Sequence, residues 1–235
     1  MRPADLLFTQ GFGTRRECAA LVANGCLDVE GAGVIDDFER ELDVTGDFWF
    51  RVRGGPRWPY RQRALVVMNK PAGYECSQKP RHHASVYSLL PTPLRQRGVQ
   101  AIGRLDEDTT GVLLFTDDGT LVHRLTSPKH HVAKVYEVTC KHAVDAGQVD
   151  RLRAGVLLHD DNETVRAAAC ETTGERTLRL TLIEGKYHQV KRMVAAVGNR
   201  VEALERSAFG PVRIDGLAAG AWRWLDADRE FAAQR

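Results

Sequence analysis

The chain has 235 residues, 43% of them hydrophobic and 27% charged, with a formal net charge of +2. These are ordinary proportions for a globular protein of one or two domains. No apolar run nears the roughly eighteen residues that span a bilayer, and the opening MRPADLLFTQGFG lacks a signal peptide's apolar region, so a cytoplasmic protein with no membrane partner is expected. Five scattered cysteines without a C-x-x-C suit a reducing compartment and speak against a disulfide framework or a cysteine-rich zinc site.

The charge is unevenly spread. Residues 1–50 carry four arginines against ten acids, a net of −6, and the remainder carries +8. The densest basic run, RVRGGPRWPYRQR from Arg51 to Arg63, has five arginines interleaved with Trp58 and Tyr60 and no acid. Arginines set among aromatics can grip phosphates and stack on unpaired bases. The same stretch also reads as a solvated interdomain linker, and the two readings are compatible.

In chain order, Thr14 and Glu17 form a T-x-x-E capping box that predicts a helix from about Arg15. Cys18, Leu21 and Val22 follow at i, i+3, i+4, and Gly25 stops the helix. Leu27 and Val29 alternate before a Glu30-Gly31 turn, which predicts a hairpin. Gly54, Gly55, Pro56 and Pro59 punctuate the basic run, so the expected organisation is a small domain over 1–52, a linker over 53–63 and a larger domain over 64–235.

In the larger domain ALVVM, Ala64 to Met68, predicts a buried strand turned by NKPAG. Little periodicity follows until about Gln100. Val112 to Phe115 predict a second buried strand, and Leu121 and Leu125 sit at helical spacing up to Pro128. VAKVYEVT alternates, with Lys134 and Tyr136 on one face, and a lysine on an exposed strand there would be solvated. Leu178, Leu180 and Leu182 share the face of a further strand. QVKRMVAAVGNR predicts an amphipathic helix on Val190, Met193, Val194 and Val197, closed by Gly198. Strands outnumber helices and hairpin-like alternation dominates, so the fold class expected is α+β, a mainly antiparallel sheet flanked by helices.

The stretch GRLDEDTTGVLLFTDDG places Asp106 just ahead of a buried strand, with Arg104 two residues before it. A carboxylate that loses water needs a nearby cation to stay ionised. His123, His130 and His131 cluster near Asp117 and Asp118 but lack H-x-x-x-H spacing, so no metal is expected. Glu107 and Asp108 read as capping or solvent-facing acids.

The stretch resembles the signature of ribosomal pseudouridine synthases: glycine-arginine-leucine-aspartate, then threonine, glycine, leucines and a turn. NKPAGYECS, SPKHHVAKVYEVT and LIEGKYHQVKRMVAAVGN are similar to the family's other motifs in the same order, over roughly residues 64–215. The helix and hairpin at the start resemble an S4-type RNA-binding domain. KYHQVKRM and the paired histidines are most similar to the small-subunit branch. The resemblance implies isomerisation of a uridine of 16S rRNA, of the uridine 516 class, without a cofactor. The substrate would be 16S rRNA or a partly assembled small ribosomal subunit, met by a monomer. It implies Asp106 as catalytic carboxylate, nucleophile or base, with Tyr136 against the extruded base and Lys191 as the facing cation. Arg104, Lys134, Gln189 and Ile183 or Leu182 would contact the substrate nucleotide, and Arg15, Arg16, Arg57, Arg61, Lys186 and Arg192 the RNA backbone. Two other readings remain: a synthase acting on 23S rRNA, and a non-catalytic RNA-binding assembly protein.

Overall fold

A computed structural model describes residues 1–158 and 162–232. The chain divides into two compact units, Met1–Ala64 with Leu90–Val99, and Leu65–Leu89 with Gln100–Arg235. Residues 233–235, the end of the expected 64–235 domain, lie outside the described part, as do 159–161.

The first unit packs α1 (Pro3–Thr9) and α2 (Arg15–Ala23) with a four-stranded sheet ordered β2-β1-β3-β4. Its strands are β1 (Leu27–Val29), β2 (Gly33–Ile35), β3 (Trp49–Val52) and β4 (Trp58–Pro59). The α2 start follows from its capping box. The Thr14 hydroxyl accepts from the Glu17 amide at 3.3 Å, and the Glu17 carboxylate accepts from the Thr14 amide at 2.7 Å. Leu6, Leu7, Val22, Leu27 and Phe50 fill the core.

Two boundaries differ from expectation. Residues 53–63 are no free linker, because β4 pairs with β3 and Trp58 is buried. The rings of Phe12, Phe50 and Trp58 meet edge to face at 5.4–5.5 Å, and burying such rings outweighs the flexibility that glycine and proline suggest. Leu90–Val99, which carries α3 (Thr92–Gln96), also joins this unit. Arg97 Nη1 donates to Gln10 Oε1 at 2.8 Å and to the Arg61 carbonyl at 2.9 Å. Such pairings join residues far apart in sequence, so no local pattern announces them.

The second unit holds β5 (Leu65–Lys70), β6 (Tyr74–Glu75), β7 (Ala84–Ser85), β8 (Gln100–Ile102), β9 (Thr110–Thr116) and α4 (Gly119–Thr126). It continues with β10 (Lys134–Cys140), α5 (Ala146–Ala154), β11 (Val156–Leu158), β12 (Glu163–Val165), β13 (Ala169–Gly174) and β14 (Thr177–Leu182). Then come α6 (Gln189–Ala196), β15 (Val201–Phe209), β16 (Val212–Arg213), β17 (Trp222–Trp224) and α7 (Ala227–Glu230). The main sheet runs β13-β14-β10-β15-β9-β5-β17, with β8 beside β9 and β16 beside β15. Its pairings are antiparallel except one: β9 and β15 run parallel at the centre. The fold is α+β, as expected.

A core of Leu65, Val67, Val112, Leu114, Leu121, Leu125 and Phe209 lies between sheet and helix. Each such side chain stabilises by about 1.5–3 kcal/mol on burial. The central parallel pairing is made possible by Gly111. It has φ +102°, and a Cβ there would meet the Arg206 carbonyl oxygen at 2.3 Å. Only glycine fits, and this sets the loop carrying Asp106 at the head of β9.

Candidate active site

Asp106 lies in the loop between β8 and β9. The loop is held from beneath by Lys70, a lysine with no solvent exposure at the end of β5. Its ammonium donates to the carbonyls of Pro71 at 3.0 Å, Glu107 at 3.2 Å and Thr109 at 2.9 Å. Burial pushes the Lys70 pKa down, while Cys76 and the acids of the loop pull in the other direction. The Gly73 amide adds a bond to the Glu107 carbonyl at 2.7 Å. On the other side the Leu105 amide donates to Cys76 Sγ at 3.5 Å, so the loop is fixed on both flanks of the aspartate.

Opposite stands α6. Lys191, in its first turn, places Nζ 3.0 Å from Asp106 Oδ2 and 2.7 Å from Asp108 Oδ1. Burial opposes the Lys191 charge, but the two carboxylates outweigh it and raise the pKa. Burial likewise opposes ionisation of Asp108, and Lys191 holds its carboxyl below the usual range. Asp108 faces solvent, as expected, and the same ammonium nevertheless serves both aspartates. Asp106 Oδ1 lies 3.2 Å from His188 Nε2.

Tyr136 on β10 and Leu182 at the end of β14 stand in a hollow of about 60 Å³ with Arg104, Asp106, Thr109 and Lys191. An open cleft of about 850 Å³, lined by Asp106, Arg104, Arg81, Lys186, Tyr187 and His188 among others, adjoins it. Asp106, Tyr136 and Lys191, spread over 85 positions of the chain, thus meet at one place.

Other expected contacts differ. Ile183 lines a separate hollow with Arg153, Arg166 and Arg179, because adjacent residues of an extended segment point to opposite faces, and Leu182 alone of the two faces Asp106. Lys134 is buried, not solvated. Its ammonium donates to the Val132 carbonyl at 2.8 Å and sits 5.3 Å from the Phe209 ring centre. It lines neither the hollow nor the cleft. Gln189 borders the hollow, yet its amide is committed to the preceding turn: Oε1 accepts from the Lys186 amide and Nε2 donates to Glu184.

Among the cations expected on RNA, Lys186 pairs with Glu163, and Arg192 Nη1 donates to the Tyr187 carbonyl at 3.2 Å. In the first unit Arg15 pairs with Asp5 at 2.9 Å above the Phe8 ring, and Arg57 pairs with Glu30 at 2.7 Å above Trp49. Arg61 Nη1 donates to the Tyr60 carbonyl, and Arg16 is exposed on α2.

Three residues of the site escaped sequence reasoning. Lys70 ends an otherwise apolar strand, a signal that was available. Arg206, 1% exposed, lies opposite Tyr136 and donates Nε to the Val112 carbonyl at 2.8 Å. Its signal is an arginine at the buried phase between Leu204 and Ala208. His188 reaches Asp106 only because its backbone is left-handed, φ +46°, which no spacing reveals.

Among the described residues no group of three or more His, Cys, Asp or Glu is placed to hold a metal ion, and no helix is long and apolar enough to cross a membrane.

This site, two carboxylates sharing one ammonium beside a tyrosine in an open cleft on a mixed sheet, stands in a protein of the pseudouridine synthase class. The chain belongs to the RNA pseudouridylate synthase family, whose model matches residues 64–196. It is 41% identical over 188 residues to the ribosomal small subunit pseudouridine synthase A of Yersinia pestis, covering 80% of each chain. It is 39% identical over 230 residues to the uncharacterized RNA pseudouridine synthase YtzG of Bacillus subtilis (strain 168), covering 96% of this chain and 95% of that one. A crystal structure of a pseudouridylate synthase superposes with a TM-score of 0.67 at 30% identity, over 97% of each chain.

Proposed function

We propose that this pseudouridine synthase acts on 16S rRNA, at a uridine of the uridine 516 class, with Asp106 as its catalytic carboxylate. The small-subunit name of the Yersinia relative supports the substrate. The observation that carries the site is the Asp106 carboxylate, tied to Lys191 at 3.0 Å and facing Tyr136 and Leu182. The reaction breaks the N1–C1′ bond, turns the uracil and joins C5 to C1′. The hydrogen on C5 leaves to solvent and N1 gains one, so substrate and product are isomers and the chemistry requires no cofactor. Asp106 acts at the ribose, as nucleophile on C1′ or as base. Lys191 pairs with it at 3.0 Å, and Tyr136 offers a flat face to the base. Extruding a uridine costs a few kcal/mol, offset by cationic contacts with phosphates from Arg104, Lys186 and Arg192. The first unit adds an S4-like RNA contact through Arg15, Arg16, Arg57 and Arg61. One chain per uridine suffices, so the enzyme works as a monomer, in the cytoplasm, on 16S rRNA or a partly assembled small subunit.

Tritium release from 16S rRNA labelled at uracil C5 tests this, since every turnover expels that hydrogen. The parent protein is expected to release label, and Asp106→Asn to release none while still binding RNA. Release by the Asn variant would overturn the assignment of Asp106. Release from 23S rRNA alone would overturn the substrate.

A further inference from the structure

The cleft beside Asp106 contains an aromatic surface that the reaction itself does not use. Tyr187 is 76% exposed, the most exposed large hydrophobic among the described residues. Its ring is not loose: it stacks on His188, centroids 3.8 Å apart and planes 21° from parallel. His188 is in turn fixed at both ends. Its backbone is left-handed at φ +46°, its Nε2 lies 3.2 Å from Asp106 Oδ1, and its carbonyl accepts from the Arg192 amide at 3.0 Å. The turn behind is braced by Gln189 Oε1 on the Lys186 amide and by Arg192 Nη1 on the Tyr187 carbonyl. A bulky side chain held in the left-handed region persists only where its surroundings over-determine it. Here the result is a two-ring ledge whose inner member touches the catalytic carboxylate and whose outer face is open.

Resting on the reading of this site as one that acts on RNA, we propose that Tyr187 and His188 form a stacking ledge for the unpaired base adjoining the reacting uridine. Every base has a π-face, so an exposed tyrosine serves any neighbour, and single-stranded RNA is recognised mainly through such stacking. The cleft around the ledge suits the attached phosphates. Arg81 and Arg104 line it, with Lys186, paired to Glu163, at its side. Of its acids, Glu75 is occupied by the amides of Arg81, His82 and His83 and Asp106 by Lys191, leaving Glu107 against the two arginines. Because His188 joins the ledge to Asp106, a base seated on Tyr187 sets the position of the next ribose relative to the carboxylate.

The test compares the parent enzyme with Tyr187→Ala and Tyr187→Phe on a 16S rRNA fragment containing the target uridine, and on two fragments lacking the base on its 5′ or its 3′ side. With the intact fragment, Tyr187→Ala is expected to raise KM about tenfold with kcat within about twofold, and Tyr187→Phe to restore the parent value. On one of the two abasic fragments the parent and Tyr187→Ala should become equal. Fluorescence anisotropy of the same fragments reads the ledge through binding, so it stands or falls separately from the choice of rRNA, which the release of tritium by the parent decides. Tyr187→Ala binding the intact fragment like the parent, or weakening binding by the same factor on both abasic fragments, would overturn the ledge.

Discussion

The ammonium of Lys191 bridges Asp106 and Asp108, at 3.0 Å from one carboxylate and 2.7 Å from the other. Two carboxylates within reach of one cation repel each other once that cation is removed. Asp106 is the less exposed partner, at 24% against 56% for Asp108, so it has less water to fall back on. Lys191→Met, which keeps the stem and removes the charge, is therefore expected to lower kcat about 10- to 100-fold in single-turnover tritium release, and Lys191→Arg to keep most of it. Asp108→Asn should stay within about threefold. An Asp108→Asn loss as deep as that of Lys191→Met would move the chemistry to the second carboxylate.

Gly111 lies against the Arg206 backbone where the sheet turns parallel. A methyl group there meets a carbonyl oxygen at 2.3 Å, on a backbone at φ +102°. Both penalties add, so Gly111→Ala is expected to destabilise by roughly 3 kcal/mol or more. Gly119→Ala, where nothing lies within 4 Å, should stay within about 1 kcal/mol. Urea denaturation of both variants makes the comparison.

Lys134 carries a stability cost that depends on pH. Burial, reinforced by the charge of Arg206, lowers its pKa from 10.5 to about 8. Below about pH 8 the folded protein keeps this ammonium in an apolar setting, and the cost is fully present. Between about 8 and 10.5 the folded side chain is neutral while the unfolded one is still charged, so the cost fades as pH rises. Lys134→Met should thus stabilise at pH 7 by about 2 kcal/mol, roughly 3 kcal/mol from the charge less about 1 kcal/mol for the hydrogen bond to Val132. Thermal melts at pH 7 and pH 10 test this, the gain shrinking at the higher pH. A gain equal at both would mean that packing, not charge, is responsible.

Local patterns carried much of the fold. The Thr14–Glu17 box predicted α2, the runs at 64–68 and 112–115 predicted the central strands, and the spacing of Val190, Met193 and Val194 predicted α6. Each is a repeat or cap that neighbouring residues complete among themselves. Alternation also placed Lys134 and Tyr136 on one face of β10, without showing that this face was closed to water. Burial is a property of what packs on top.

The sequence by itself determined α2, the hairpin after it, β5, β9, α4, β10, β14 and α6, and where an aspartate, a tyrosine and a lysine stand along the chain, because propensity, capping and periodicity act over a few residues. Only the tertiary structure decided that Lys191 crosses to Asp106, that Lys70 and Arg206 are sealed beneath the site, that Leu182 and not Ile183 faces it, and that Trp58 closes the first unit. Those outcomes depend on desolvation and on contacts between residues tens of positions apart, and neither is written in any local stretch of the chain.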